Sequence, residues 1–291
     1  MLDFRYHALS LVAVFLALAI GIVLGVTIGD SLVSDAERAL RGNLRADVDK
    51  SHAEAAKAHI DLNGRDQMLD QIYPGMVSTR LAGERVAVVS WGPLPSNVES
   101  GVRDAVNKGG GRIDSISVLD KPLTTLKTAL GNDVYAAQTA DDTSLQALGG
   151  SLGRSIAEGG HLAHSLRSEF PDDFSGRFKR ADAVVFYEAP TPNDDGDAAG
   201  VKEREDDRAA TIETALLEEL ARHTIAVVGV EAANADPSQI PRYKSLNLSS
   251  SDSVDKSGGK IALVFALAGA KGNFGLKPTA QQPLPAEALV P

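Results

Sequence analysis

The longest apolar stretch of the chain lies close to its N-terminus. Residues 10–28 read SLVAVFLALAIGIVLGVTI and contain no charged side chain. As a helix with a rise of about 1.5 Å per residue, this stretch spans roughly 28 Å, which is close to the ~30 Å hydrocarbon core of a bilayer. The pattern therefore predicts one transmembrane helix.

A cleaved signal peptide is the alternative interpretation of this stretch. The apolar run is longer than a signal-peptide core, Arg5 is the only fixed positive charge before it, and no small-residue cleavage motif follows it. We therefore favour an uncleaved anchor. Arg5 precedes the helix and acidic residues follow it, which predicts a cytoplasmic N-terminus over residues 1–9 and an extracytoplasmic location for the rest of the chain.

Three glycines repeat every four residues near the end of this helix, at Gly21, Gly25 and Gly29. Residues four apart lie on one face of a helix, and small residues there let a second helix approach closely. The glycine row predicts a packing surface for a second copy of the membrane helix.

The next segment, residues 30–73, has the pattern of a helical stalk. From Leu44 to Ile72 a 4-3 spacing runs for about four heptads, although small and polar residues occupy several of its core positions. The pattern predicts a coiled-coil stalk in a parallel homodimer, with one amphipathic helix lying on the downstream domain as the alternative. The sequence Tyr73-Pro74-Gly75 is expected to end the helix.

The pattern changes after the stalk to short apolar runs that alternate with helical segments. We expect buried strands in five places: Arg85–Trp91, Arg112–Leu119, Ala181–Tyr187, Thr224–Val230 and Lys260–Leu267. We expect helices between them, at Asn97–Lys108, Leu123–Leu130, Thr143–Leu166 and Glu203–Arg222. Apolar strands that alternate with helices are typical of a mostly parallel sheet covered on both faces. The fold class is thus a transmembrane helix and stalk followed by an α/β domain over residues 84–276, with a loosely packed proline-rich tail over residues 277–291.

Composition and motifs exclude several classes of function. The net charge is −10 and aromatic residues make up 5% of the chain, which argues against binding to nucleic acid. The chain has no cysteine and no motif of a nucleophile elbow or a zinc protease, and we expect no enzymatic activity. The loop after the first predicted strand lacks a phosphate-binding glycine pattern. Its residues Ser90 and Trp91 are the candidate lining of a cleft, which would suit a small-molecule sensor domain.

Histidine and acidic residues offer only weak candidates for a metal site. His161 and His164 are three residues apart and would share one helix face, but two exposed surface histidines are the simpler interpretation. The acidic loop at residues 190–197 lacks the spacing of a calcium-binding loop. We therefore predict no metal ion and no cofactor from the residues themselves.

Both ends of the chain resemble one family. The opening FRYHALSLVAVFLALAIGIVLG and the C-terminal segments SVDKSGGKIALVFAL and GNFG resemble the MctB family of actinobacterial copper transport proteins. The resemblance implies copper homeostasis and an outer-membrane location, and some relatives are linked to a septal complex that controls a peptidoglycan hydrolase. It carries no catalytic residue and no copper ligand over to this chain.

Taken together, these patterns predict a non-enzymatic, single-pass envelope membrane protein that is a homodimer. Its extracytoplasmic α/β domain would act as a scaffold that binds cell-envelope or division proteins. The family resemblance implies the alternative, a component of copper homeostasis or efflux in the outer envelope, and copper enters only through that resemblance. The sensor domain is the second alternative.

Overall fold

A computed structural model describes residues 4–119, 142–190, 199–224 and 226–289 of the chain, with side chains from residue 6, except at 26–39 and 199–206. The chain forms two compact units, Met1–Arg65 and Asp66–Pro291. The predicted helix at residues 123–130 and most of the acidic loop lie outside the described residues.

The first unit is a single helix, which continues into the start of the second unit as α1 (Phe4–Val77). Its segment Tyr6–Gly25 has a mean hydropathy of 2.7 and no buried residue, and it is the one helix among the described residues that is long and apolar enough to cross a membrane. The helix was expected to end at Tyr73, but it continues through Pro74 to Val77. Tyr73 and Val77 are both buried in the domain core, so their packing outweighs the backbone hydrogen bond that proline removes.

The second unit is built on one mostly parallel sheet, which confirms the predicted class of this domain. Its strand order is β3-β2-β1-β4-β5-β6-β7, and only the β2–β3 pair is antiparallel. The strands are β1 Arg85–Trp91, β2 Arg112–Leu119, β3 Phe174–Gly176, β4 Ala183–Glu188, β5 Ala226–Val230, β6 Ser249–Ser251 and β7 Asn273–Phe274. The strand order reverses direction between β1 and β4.

Helices cover both faces of the sheet. They are α2 Ser96–Lys108, α3 Asp142–Glu158, α4 His161–Glu169, α5 Ala199–His223, α6 Ile240–Ser245 and α7 Ser257–Leu267, and a 3-10 helix follows at Ala286–Leu289. One apolar core contains side chains of α2, α7 and the end of α1, and the other contains side chains of α3, α4, α5 and α6. Alternate residues of β1 point into the two cores, with Val86 and Val88 on one face and Ala87 and Val89 on the other.

One predicted strand is wrong, because residues 260–267 belong to helix α7. Short apolar runs fit a buried strand and a buried helix equally well, and a helix that is apolar on all sides is typical of a core position. The sixth strand is instead Ser249–Ser251, three buried serines whose composition gave no strand signal.

Other differences concern element ends and the C-terminal tail. The long helix expected between residues 143 and 166 is divided into α3 and α4 by Gly159 and Gly160, both with positive φ. The tail was expected to be loosely packed. In the structure its Leu284 and Ala288 pack against the first core, and Gln282 bridges to β7.

Candidate functional site

Ligands of open parallel sheets bind beyond the carboxyl ends of the strands, where the strand order reverses. In this sheet that point lies between β1, which ends at Trp91, and β4, which ends at Glu188. Trp91 and Glu188 are direct partners in the parallel register. Their side chains therefore lie next to each other on one face of the sheet.

The structure separates the two residues that the sequence suggested as a cleft lining. Ser90 is fully buried and its Oγ donates a hydrogen bond to the carbonyl oxygen of Gly92 at 2.6 Å, so its hydroxyl is used within the loop. Trp91 is half-buried and packs against the second core. Strand alternation puts the two side chains on opposite faces, and only Trp91 lies on the face of Glu188.

A cluster of two carboxylates and one guanidinium lies on this face. Glu188 ends β4, Glu213 belongs to α5 and Arg242 to α6. Arg242 Nη2 is 3.1 Å from Glu213 Oε2, and Arg242 Nε is 3.6 Å from Glu188 Oε2. The side chain of Glu213 is 3% exposed and that of Glu188 is 17% exposed. Glu213 Oε1 and Glu188 Oε2 are both buried without a hydrogen-bond partner.

Tyr243 holds this cluster in place. Its Oη donates a hydrogen bond to the carbonyl oxygen of Val230 and accepts one from the backbone N–H of Glu188, both at 3.0 Å. Its ring lies over Gly229, where a side chain would overlap it, and meets Phe186 edge to face. Because Tyr243 is fixed in this way, the preceding Arg242 is held beside the ends of β4 and β5.

Burial changes the proton affinity of both carboxylates. Burial is the largest cause, and the negative charge of Glu188 is the second; together they raise the pKa of Glu213 to about 7, although Arg242 lowers it. Burial also raises the pKa of Glu188, again against the effect of Arg242. Carboxyl groups with raised pKa values are typical of functional sites and also of structural ion-pair networks.

The carboxyl ends of β5 and β6 are closed by the chain's own C-terminal segment. The fully buried Glu231 pairs with Lys277 Nζ at 2.8 Å and accepts hydrogen bonds from Ser238 Oγ and the backbone N–H of Gln239. The buried Asp252 accepts the backbone N–H groups of residues 276 and 277 at 3.0 and 2.8 Å. This edge is satisfied internally, which leaves the ends of β1 and β4 as the candidate site.

The remaining candidate residues lie away from this site. His161 and His164 are exposed on α4, and the Nδ1 of His161 is 3.3 Å from Ser165 Oγ. The described part of the chain contains no group of three or more His, Cys, Asp or Glu side chains that would hold a metal ion. Gly21, Gly25 and Gly29 all lie within α1, and a Cβ at Gly21 or Gly25 would meet open space.

Sequence reasoning missed Glu188, Glu213 and Arg242, although two of them leave a signal. In AVVFYE the strand alternation places Glu188 on the same face as Val184 and Phe186. Glu213 directly follows Ile212 on the inward stripe of α5, where a charged residue is unusual. A charge at a position that the pattern assigns to the core is the signal that would have indicated both.

One comparison with known proteins bears on the whole chain. A family model described as "Copper transport outer membrane protein, MctB" matches residues 1–285, which confirms the resemblance seen at the two ends. No curated protein matches the chain.

Proposed function

Since the chain belongs to the MctB family of copper transport outer membrane proteins, we propose that it is a single-pass component of a copper-transport-related envelope assembly. In this proposal the chain is not an enzyme. The N-terminal helix anchors it, and the α/β domain recognises other envelope or division proteins outside the cytoplasm.

The observation that carries the proposal is the segment Tyr6–Gly25. Its twenty residues have a mean hydropathy of 2.7, and every one of their side chains is exposed. Exposing such a surface to water is unfavourable, whereas a helix of this length matches a bilayer core. The helix satisfies its own backbone hydrogen bonds, as a membrane span must.

We further propose that the chain forms a parallel homodimer through α1. The glycine row at Gly21, Gly25 and Gly29 would pack the two membrane helices. In the stalk, the seam residues Leu44 and Val48 are 62% and 46% exposed in the single chain, and a second copy would cover them. Joining the two stalks to paired membrane helices raises their effective concentration, which favours a weak seam.

The structure of the α/β domain supports a role in protein assembly more than a role in catalysis. The ends of β5 and β6 are filled by the chain's own Lys277 and its neighbours, and the loop after β1 has the prolines Pro93 and Pro95 where a phosphate loop needs backbone N–H groups. A rigid domain of this kind suits the presentation of a surface at a set distance from the bilayer.

Copper efflux or homeostasis is the second candidate, and the family description favours it. Copper(I) prefers thiolate and thioether ligands, but the chain has no cysteine and three methionines. We therefore propose that copper is handled by the partners of this chain rather than by its α/β domain. The sensor function proposed from the cleft would require a ligand at the ends of β1 and β4.

Cysteine crosslinking in native membranes tests the dimer, because the chain is free of cysteine. A Leu44→Cys variant should form a disulfide-linked dimer under a mild oxidant. The matched Ala46→Cys variant, on the other side of the helix, should form far less. Equal crosslinking of both variants would reject the seam.

The assembly itself is tested by crosslinking the tagged full chain in its own membranes and isolating it. Recovery of one or more envelope proteins in fixed ratio to the chain supports the proposal. Recovery of the chain alone would contradict it. Titration of the purified full chain with copper(I) should give no stoichiometric site, and a tight site would shift the assignment to direct copper handling.

A further inference from the structure

The cluster at the ends of β1 and β4 lacks one positive charge when both of its carboxyl groups are ionised. Glu188 and Glu213 carry two carboxyl groups, and Arg242 is the one cation that the ion pairs of the described residues place beside them. If both carboxyl groups ionise, the cluster has a net charge of −1. A cation with a single charge would neutralise it.

The unpaired oxygens identify where such a cation would bind. Glu213 Oε1 has no hydrogen-bond partner, and the side chain of Glu213 is only 3% exposed. Glu188 Oε2 also has no hydrogen-bond partner, since Arg242 Nε is 3.6 Å away. Buried polar atoms without partners are costly, and a bound donor group would remove that cost at both oxygens.

Trp91 adds an aromatic side chain on the same face of the sheet as Glu188. It is the register partner of Glu188, and neighbouring strands lie about 4.8 Å apart. The indole is half-buried, so part of it remains accessible from solvent. An indole beside carboxylates is a favourable environment for an organic cation, because the ring face attracts positive charge.

The chemistry of the cluster favours an organic cation over a metal ion. Arg242 already shows that both carboxylates accept a guanidinium group. The described residues offer no third carboxylate or histidine that would complete a metal site here. A single missing charge also matches a monovalent group better than a divalent ion.

We propose that Trp91, Glu188 and Glu213 form a binding site for one ammonium or guanidinium group. The group comes either from a free amine or from a basic side chain of a partner protein. The second source rests on the proposed assembly role, whereas the first does not. Binding places the cation at the two carboxylate oxygens that lack a hydrogen bond and on the indole face of the sheet, and Arg242 remains beside Glu213 Oε2.

Butylguanidinium is a suitable probe, with the uncharged butylurea as its matched control. Trp91 is the only tryptophan of the chain, so the fluorescence of the full chain in detergent micelles reports on this site alone. We expect a saturable change with one equivalent of butylguanidinium bound and no change with butylurea. A Glu213→Gln variant should weaken binding at least tenfold, whereas Glu218→Gln, at an exposed position of the same helix, should bind like the original chain.

The peptide acetyl-Gly-Arg-Gly-amide distinguishes the two sources. Binding of both probes supports a partner side chain, and binding of butylguanidinium alone supports a free amine. The proposal is overturned if neither probe gives a saturable change, if Glu213→Gln and Glu188→Gln bind both unchanged, or if calcium or copper ions produce the response and the organic cations do not. Isolation of the crosslinked full chain with its partners is a separate measurement, so a failure here leaves the assembly proposal standing.

Discussion

The buried carboxyl of Glu213 predicts that replacing it with glutamine stabilises the domain at alkaline pH. In the folded state the pKa of this group is raised from 4.5 to about 7, first by burial and then by the charge of Glu188. Between these two values the folded chain holds a proton that the unfolded chain has released. The stability that depends on this proton is therefore fully present below pH 4.5 and is lost as the pH rises to 7.

The size of the effect follows from the pKa difference. From 4.5 to 7 the difference is 2.5, and at about 1.4 kcal/mol for each pKa unit the largest loss is about 3–4 kcal/mol. Glutamine keeps the shape of the side chain but carries no charge, so it does not suffer this loss. At pH 8 the Glu213→Gln variant should be more stable by up to ~3–4 kcal/mol, and at pH 4.5 it should have no advantage.

Thermal unfolding of the full chain, followed by circular dichroism at pH 5, 6, 7 and 8, measures this difference. For a domain of this size the Tm of the variant at pH 8 should rise by roughly 2–4 °C for each kcal/mol. The control is Glu218→Gln, because the side chain of Glu218 is 63% exposed and is expected to contribute within about 0.5 kcal/mol. Parallel pH curves for Glu213→Gln and the original chain would refute the reasoning, as would a lower Tm of the variant at pH 8.

Three further predictions concern other parts of the chain. Gly275→Ala would push a methyl group into the carboxylate of Asp252, whereas Gly269→Ala, also at positive φ, meets open space. In urea unfolding, Gly275→Ala should lower the free energy of unfolding by at least ~1 kcal/mol more than Gly269→Ala does. Equal losses would contradict the overlap. Lys277→Met leaves the buried Glu231 without its cation and should lower the free energy of unfolding by about 3–5 kcal/mol in the same assay. A decrease below ~1 kcal/mol would show that the ion pair is not needed for stability. Gly25→Leu should weaken association of the membrane helix in a bilayer reporter assay, and unchanged association would leave α1 only its anchoring role.

The local pattern of the sequence was sufficient to predict a helix or strand where residues that end such elements flank it on both sides. The bounds of β1 and β2 were predicted without error, because β1 is an apolar run that ends at Gly92-Pro93 and β2 is an alternating segment that follows three glycines. The parallel sheet follows from the alternation of such runs with helices, and the apolar segment near the N-terminus follows from length and composition alone. These features depend on neighbours within a few residues, so they can be predicted from the sequence alone.

The three-dimensional packing decided what the local pattern left ambiguous. Residues 261–267 are apolar on all sides, and their position between the sheet and α2 selects a helix. The strand Ser249–Ser251 has no apolar signal and exists because β5 and β7 flank it. In both cases the energy comes from partners that are distant in sequence.

The candidate site was beyond local reasoning for the same reason. Trp91 was suggested by its place after the first strand, but its neighbours come from three other elements: β4, α5 and α6. Glu188 and Glu213 stand out in the sequence only as charges at core positions, and they become a site when the fold buries both of them beside the guanidinium of Arg242. The sequence by itself determined the apolar N-terminal segment, the class of the domain and the family. Only the tertiary structure decided which charges lose contact with water, because burial and charge proximity are set by contacts between residues far apart in the chain.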